Sequence, residues 1–205
     1  LVRNCLVLLQ LPFNVDNNLL HEARDFASNV DTRSTLNFPT GSFFYDPWEI
    51  KDEFRGSVWE EILNSLPFTL GEARIIILNQ RECYSCHSDI DDRWHLNISA
   101  KSAYLINLDT EEMFESKSDG IWFEMDAGVK HTAINFGNHP RIQLVVRKLL
   151  CRSVRTDLIP VCITTNLNNL EDARYEFDNR LSGFLNRVNK EQAMNNFSHE
   201  EKIVK

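Results

Sequence analysis

No apolar run in the chain approaches the roughly eighteen residues that a helical bilayer span needs, so no membrane partner is expected. Positive charge is also scarce. Lys and Arg number 22 against 30 Asp and Glu, for a net charge of -8 and a pI near 5.3. Nucleic-acid backbones are held by clustered Lys and Arg, and this balance argues against such a partner. Cysteine is sparse too: five, an odd number, in no disulfide-framework spacing, which favours a reducing, cytoplasmic setting. The N-terminal run Leu1 to Pro12 lacks a small-residue cleavage site and reads as a first strand rather than a signal peptide. No internal repeat or low-complexity tract is present.

What the chain does contain is core-forming material. A hydrophobic fraction of 42% and thirteen Phe support a real core. At 205 residues it is most simply one domain, able to bury about 70% of its unfolded surface.

The period of the apolar residues changes along the chain. A strand over Cys5 to Leu11 is followed by a helix capped by Asp16, with Leu19, Leu20, Ala23 and Phe26 on one face. Phe38, Phe43, Phe44, Tyr45 and Trp48 then form an aromatic loop that either lines a pocket or covers a sheet edge. Glu53 to Leu66 has the spacing of a second helix, ended by Pro67. From Arg74 the pattern is that of strands: Arg74 to Leu78, Trp94 to Ile98, Ala103 to Leu108, Gly120 to Met125, Lys130 to Phe136 and Ile142 to Leu150. Such a succession predicts an antiparallel sandwich or barrel. Residues 169 to 189 carry an apolar stripe expected to form a C-terminal helix, docked on the barrel or pairing two copies of the chain as a homodimer, with a polar end after it.

Metal-capable side chains are densest between Cys83 and His95. In an extended strand residues i and i+2 share a face, so His87 and Asp89 would present an imidazole and a carboxylate side by side. His131, in the apolar segment Ile121 to Phe136, is the obvious third donor. Two imidazoles and one carboxylate leave one face of an octahedral ion open, which suits non-haem Fe(II) and oxygen chemistry.

The order of motifs resembles the aspartyl/asparaginyl β-hydroxylase family of Fe(II)/2-oxoglutarate-dependent dioxygenases, with its proline hydroxylase-like members. The matching residues are His87 and Asp89, Arg93-Trp94-His95, Gly120 to Phe123, His131 and Asn135, and Arg141 ten residues beyond His131. Some β-hydroxylases lack the carboxylate ligand, whereas Asp89 is present here.

The resemblance implies a double-stranded β-helix, a cupin-like jelly roll, mainly β with flanking helices. The division it suggests is a lead-in over residues 1–70, a jelly-roll core over 71–151 and a helical extension over 152–205. It implies Fe(II) on His87, Asp89 and His131, with 2-oxoglutarate and O2 as cosubstrates. Arg141 would take the C5 carboxylate of 2-oxoglutarate at the barrel mouth or just inside it, and a guanidinium fork suits that task. Arg93 and His95 would help hold its metal-proximal carboxylate. The implied reaction hydroxylates a C–H bond of an amino acid, or of an Asp, Asn or Pro residue in a peptide, releasing succinate and CO2.

Three other readings are open. Cys83-x-x-Cys86-His87 has the form of a c-type haem attachment motif. Cys83, Cys86, His87 and His95 together offer a donor set for structural zinc. A non-catalytic jelly-roll domain that binds a metal or ligand would share the fold without the chemistry.

Overall fold

The computed structural model describes residues 8–28, 30–31, 34–43, 45–89, 93–125, 128–149, 164–165, 179, 182–183 and 186. The expected C-terminal helix lies outside these residues except at the last four positions, which are helical. Residues 1–7, the polar end and the pair Asp91-Asp92 also lie outside them.

The elements run β1 (Leu8–Asn14), α1 (Asn17–Ala27), β2 (Asn37–Pro39), β3 (Trp48–Ile50), a 3-10 turn (Asp52–Phe54) and α2 (Val58–Asn64). There follow β4 (Leu70–Leu78), β5 (Cys83–Tyr84), β6 (Arg93–Ser99), β7 (Ala103–Asn107), β8 (Met113–Glu115), β9 (Ile121–Met125), β10 (His131–Asn135), β11 (Arg141–Lys148) and β12 (Thr164–Thr165). Two five-stranded antiparallel sheets result, in the orders β1-β9-β6-β11-β4 and β12-β5-β10-β7-β8, and β2 pairs with β3 in a separate two-stranded one. Numbered from β4 to β11, the eight central strands stack as 6-3-8-1 over 2-7-4-5. That interleaving is a double-stranded β-helix, or jelly roll.

Each face of the first sheet has its own chemistry. Ala73 and Ile75, Trp94, Leu96 and Ile98, and Ile142, Leu144 and Val146 alternate along β4, β6 and β11 and pack on the outer side. Leu20, Ala23 and Ala27 of α1 and Val58, Trp59, Ile62 and Leu63 of α2 cover them. Burial of each large aliphatic side chain contributes about 1.5–3 kcal/mol, which holds the helical lead-in against the sheet. The intervening positions Arg93, His95, Asn97, Arg141, Gln143 and Arg147 are polar, buried or nearly so, and face the second sheet. The stretch from Ile142 is therefore two-faced. A small second core of Leu78, Leu105, Met125, Val129 and Ala133 joins the sheets.

Several local expectations are corrected. The helix expected over Glu53 to Leu66 divides into the 3-10 turn and α2, because Gly56 takes a φ of 70°, a left-handed value that no α-helix contains. β1 extends to Asn14 past Pro12, which is tolerated because β1 is an edge strand and its register shifts between Gln10 and Asn14. Strands β2, β3, β5, β8 and β12 were not expected, the last lying in the stretch assigned to a helical extension. At two or three residues each they are too short to display alternation. The Asp16 carboxylate accepts from Asn18 N at 2.7 Å and caps α1 as expected. Gly120, at a φ of 78°, has no room for a Cβ against the Val15 carbonyl, so the chain leaving β1 approaches β9 closely there.

Candidate metal centre

Strand pairing assembles the site. Just beyond β5, His87 forms an isolated bridge with His131, the first residue of β10. Their rings lie 4.4 Å apart between centroids. The Nδ1 of each ring sits 2.8 Å from the carbonyl two residues upstream, Ser85 O for His87 and Val129 O for His131. A carbonyl can only accept, so each Nδ1 is the protonated donor and each Nε2 keeps its lone pair for a metal. Asp89 Oδ2 is 4.0 Å from His131 Nε2. One ligand atom from each of His87, Asp89 and His131 lies within 4.8 Å of the other two.

The electrostatics keep Asp89 and His87 in their ligating forms. Burial pushes the Asp89 carboxyl up, but Arg93, His87, His131 and Arg74 together hold it well below the usual carboxylate range. Arg93 Nη2 lies 3.4 Å from Asp89 Oδ1. Burial lowers His87 to about 4, against the opposing pull of Asp89, so its imidazole is neutral at pH 7.

Deeper along the same face of β6, His95 stacks on Phe123 with ring centroids 5.2 Å apart and 12° between the planes. Gln143 hydrogen-bonds His95 and donates its Nε2 to Asn97 Oδ1 at 2.9 Å. Burial is the main cause that lowers His95 to about 3. Arg141 opens β11 opposite Leu78, at the end of the strand remote from Arg147, whose backbone faces Arg93. It is 3% exposed and lies inside the lumen, where the sequence had allowed either the barrel mouth or a place just within it. The first residue of a central strand points inward here because the sheet's polar face is its inner face. Burial lowers the Arg141 pKa, and Tyr84 is the group that opposes this. No carboxylate among the described residues pairs with it.

Among the described residues, His95 Nε2 and Arg141 Nε are buried polar atoms of this lumen without a hydrogen-bond partner. Orphaned groups of this kind cost free energy unless a ligand meets them. Of the sequence-derived residues, the structure brings His87, Asp89, His131 and Arg93 together at one level, with His95 beside them and Arg141 deeper. Tyr84 and Gln143 were missed. Gln143 could have been found from its spacing of two from Arg141, whereas Tyr84 carried no comparable signal. Asn135 is a structural clamp: its Nδ2 donates to Leu78 O, Asn79 O and His139 O at 3.0, 3.1 and 2.9 Å.

The alternative donor sets do not assemble among the described residues. Cys83 and Cys86 are free thiols, and the metal-capable cluster contains neither. Asn97 is buried in the lumen.

No family model and no curated protein matches the sequence. Among solved structures, the chain is similar to an oxidoreductase of the 2OG-Fe(II) oxygenase family from Burkholderia pseudomallei. The TM-score is 0.44 at 7% identity, covering 68% of this chain and 82% of that one. The jelly roll itself follows from the strand order. No helix among the described residues is long and apolar enough to cross a membrane.

Proposed function

We propose that the chain is an Fe(II)/2-oxoglutarate-dependent dioxygenase that hydroxylates a C–H bond of an amino acid, or of an Asp, Asn or Pro residue in a peptide. The observation that carries this reading is Arg141. A guanidinium 3% exposed, without a carboxylate partner among the described residues, lies in the same lumen as a His87-Asp89-His131 cluster. A buried cation persists when a ligand supplies its anion, and a dicarboxylate that also chelates a metal fits both ends of this lumen.

His87 Nε2, Asp89 and His131 Nε2 would hold Fe(II). Iron(II) with 2-oxoglutarate and O2 supplies the oxidation, in which 2-oxoglutarate is converted to succinate and CO2 while the substrate C–H becomes C–OH. The Ser85 and Val129 carbonyls fix the two imidazoles in the ligating tautomer. Arg141 and the Tyr84 hydroxyl would anchor the distal carboxylate, and Arg93 and His95 would border the metal-proximal one. Val145 and Phe123 flank His95 in the register and help keep the lumen dry.

Anaerobic titration with Fe(II) and then 2-oxoglutarate tests the reading through the visible charge-transfer band of the chelate. One iron per chain with the band supports it. Iron without the band leaves a metal-binding jelly roll.

A further inference from the structure

We propose that the aromatic turn carried by β2 and β3, with Phe43, Tyr45 and Trp48, is a wall of the substrate entrance, and that Arg147 is the positioning residue that holds it there. This deepens the oxygenase reading and rests on the metal centre described above.

The placement follows from register. Arg147 is the backbone partner of Arg93, whose guanidinium lies 3.4 Å from Asp89, so Arg147 stands on the same inner face one strand from the metal cluster. Its side chain runs sideways across β4 at Gly71. A Cβ on Gly71 would sit 2.9 Å from the Arg147 carbonyl, 3.0 Å from its Nε and 3.2 Å from its Cζ, so the missing side chain lets both the backbone and the guanidinium of Arg147 pass close to β4. Beyond Gly71, Arg147 Nη2 donates to the Phe43 carbonyl. Its Cζ lies 4.7 Å from the Phe43 ring centroid and 5.8 Å from that of Trp48. Trp48 Nε1 donates to the same carbonyl at 3.1 Å, and the Phe43 and Trp48 rings meet edge to face at 5.1 Å. Asn37 completes the attachment by clasping Gly71 O and Ala73 N, each at 2.8 Å.

Covering a sheet edge does not require this arrangement. The edge of β4 is already met by Ser34, Thr35 and Leu36, through Ile75 N to Ser34 O, Leu36 N to Ala73 O and the Thr35–Arg74 bridge. A cation 5% exposed is an expensive way to seal an edge, whereas a planar fork that stacks on two rings and binds a carbonyl fixes one turn in one place. Tyr45 on that turn is 44% exposed and available to a substrate.

The test uses the full chain loaded with Mn(II), whose paramagnetism broadens nuclear resonances of nearby rings, together with chymotrypsin, which cuts after accessible aromatics. In the parent, Mn(II) is expected to broaden the Phe43 and Tyr45 ring signals, and the turn resists cleavage. Arg147→Met keeps the apolar stem and removes the fork; it should bind Mn(II) equally, lose that broadening and be cut after Phe43 or Tyr45 about tenfold faster, as expected where cleavage follows the population of the open turn. Arg147→Lys should recover the broadening in part. Absence of broadening in the metal-loaded parent overturns the wall. Unchanged broadening and cleavage in Arg147→Met overturn the role of Arg147. A parent chain that binds no Mn(II) fails the metal centre and the wall with it, while the cleavage rates still decide what Arg147 does.

Discussion

His87 and His131 are separated by 44 positions in the sequence yet exchange two backbone hydrogen bonds, N to O, of 3.0 and 2.9 Å. The pairing uses no side-chain atom, so either imidazole can be removed without dissolving the bridge. His131→Ala should therefore keep the strand pairing while lowering affinity for Fe(II) by more than about 100-fold, since altering residues that merely orient ligands already costs 10–100-fold. Calorimetric titration of the variant checks this. Unchanged metal binding would remove His131 from the ligand set.

Arg141→Ala is expected to weaken 2-oxoglutarate binding by about 2–5 kcal/mol, the scale for truncating one partner of a buried charge pair, with Fe(II) affinity retained. Arg141→Lys should recover only part, because a point charge cannot reproduce a fork. Equal cosubstrate affinity in parent and Ala variant would move the anchor elsewhere.

Tyr84→Phe removes the hydroxyl of the group that opposes the effect of burial on Arg141. The metal-free variant should lose no more than about 1.5 kcal/mol of stability, the range of a single hydrogen bond. Affinity for 2-oxoglutarate should fall by about 1.5 kcal/mol, roughly tenfold. Measuring both quantities separates a ligand-binding hydroxyl from a packing one.

The metal-free protein should lose stability as pH falls below neutrality. His95, lowered to about 3, and His87, lowered to about 4, stay neutral in the folded chain while their unfolded counterparts take up protons near 6.5. Between those values the unfolded state binds more protons, so stability rises with pH at up to about 1.4 kcal/mol per pH unit for each group. Asp89, held low, adds loss of the same sign once pH drops below the ordinary carboxylate range. His95→Gln should flatten the slope between pH 4 and about 6.5 in urea unfolding, and an unaltered slope would count against a buried neutral His95.

Asn135→Ala should lower stability by about 1–3 kcal/mol, since the amide joins three carbonyls and accepts from Gly137 N at 2.9 Å. Thermal unfolding reads this directly.

Much of the architecture is written in local pattern. Alternation marks the six longer strands after Arg74, and the 3.6 period marks α1, because a half-buried strand or helix must repeat its apolar side at the period of its backbone. The candidate ligands were legible as well: His87 and Asp89 have the spacing that brings two side chains to one side of an extended chain, and His131 opens a strand. Short strands such as β5 and β8 were not legible, since two or three residues cannot show a period.

What tertiary structure decided is which face of each strand became the lumen. Sequence cannot tell whether Arg141, Gln143 and Arg147 point to water or to a second sheet, because both produce the same alternation along β11. Only the helices packed on Ile142, Leu144 and Val146 make the polar side the inner one. The same decision buried Arg141 deep in the lumen, set Tyr84 beside it and carried Arg147 over Gly71 to the aromatic turn. Those relationships join residues distant in the chain through strand register, a property of the folded sheet that no single segment contains.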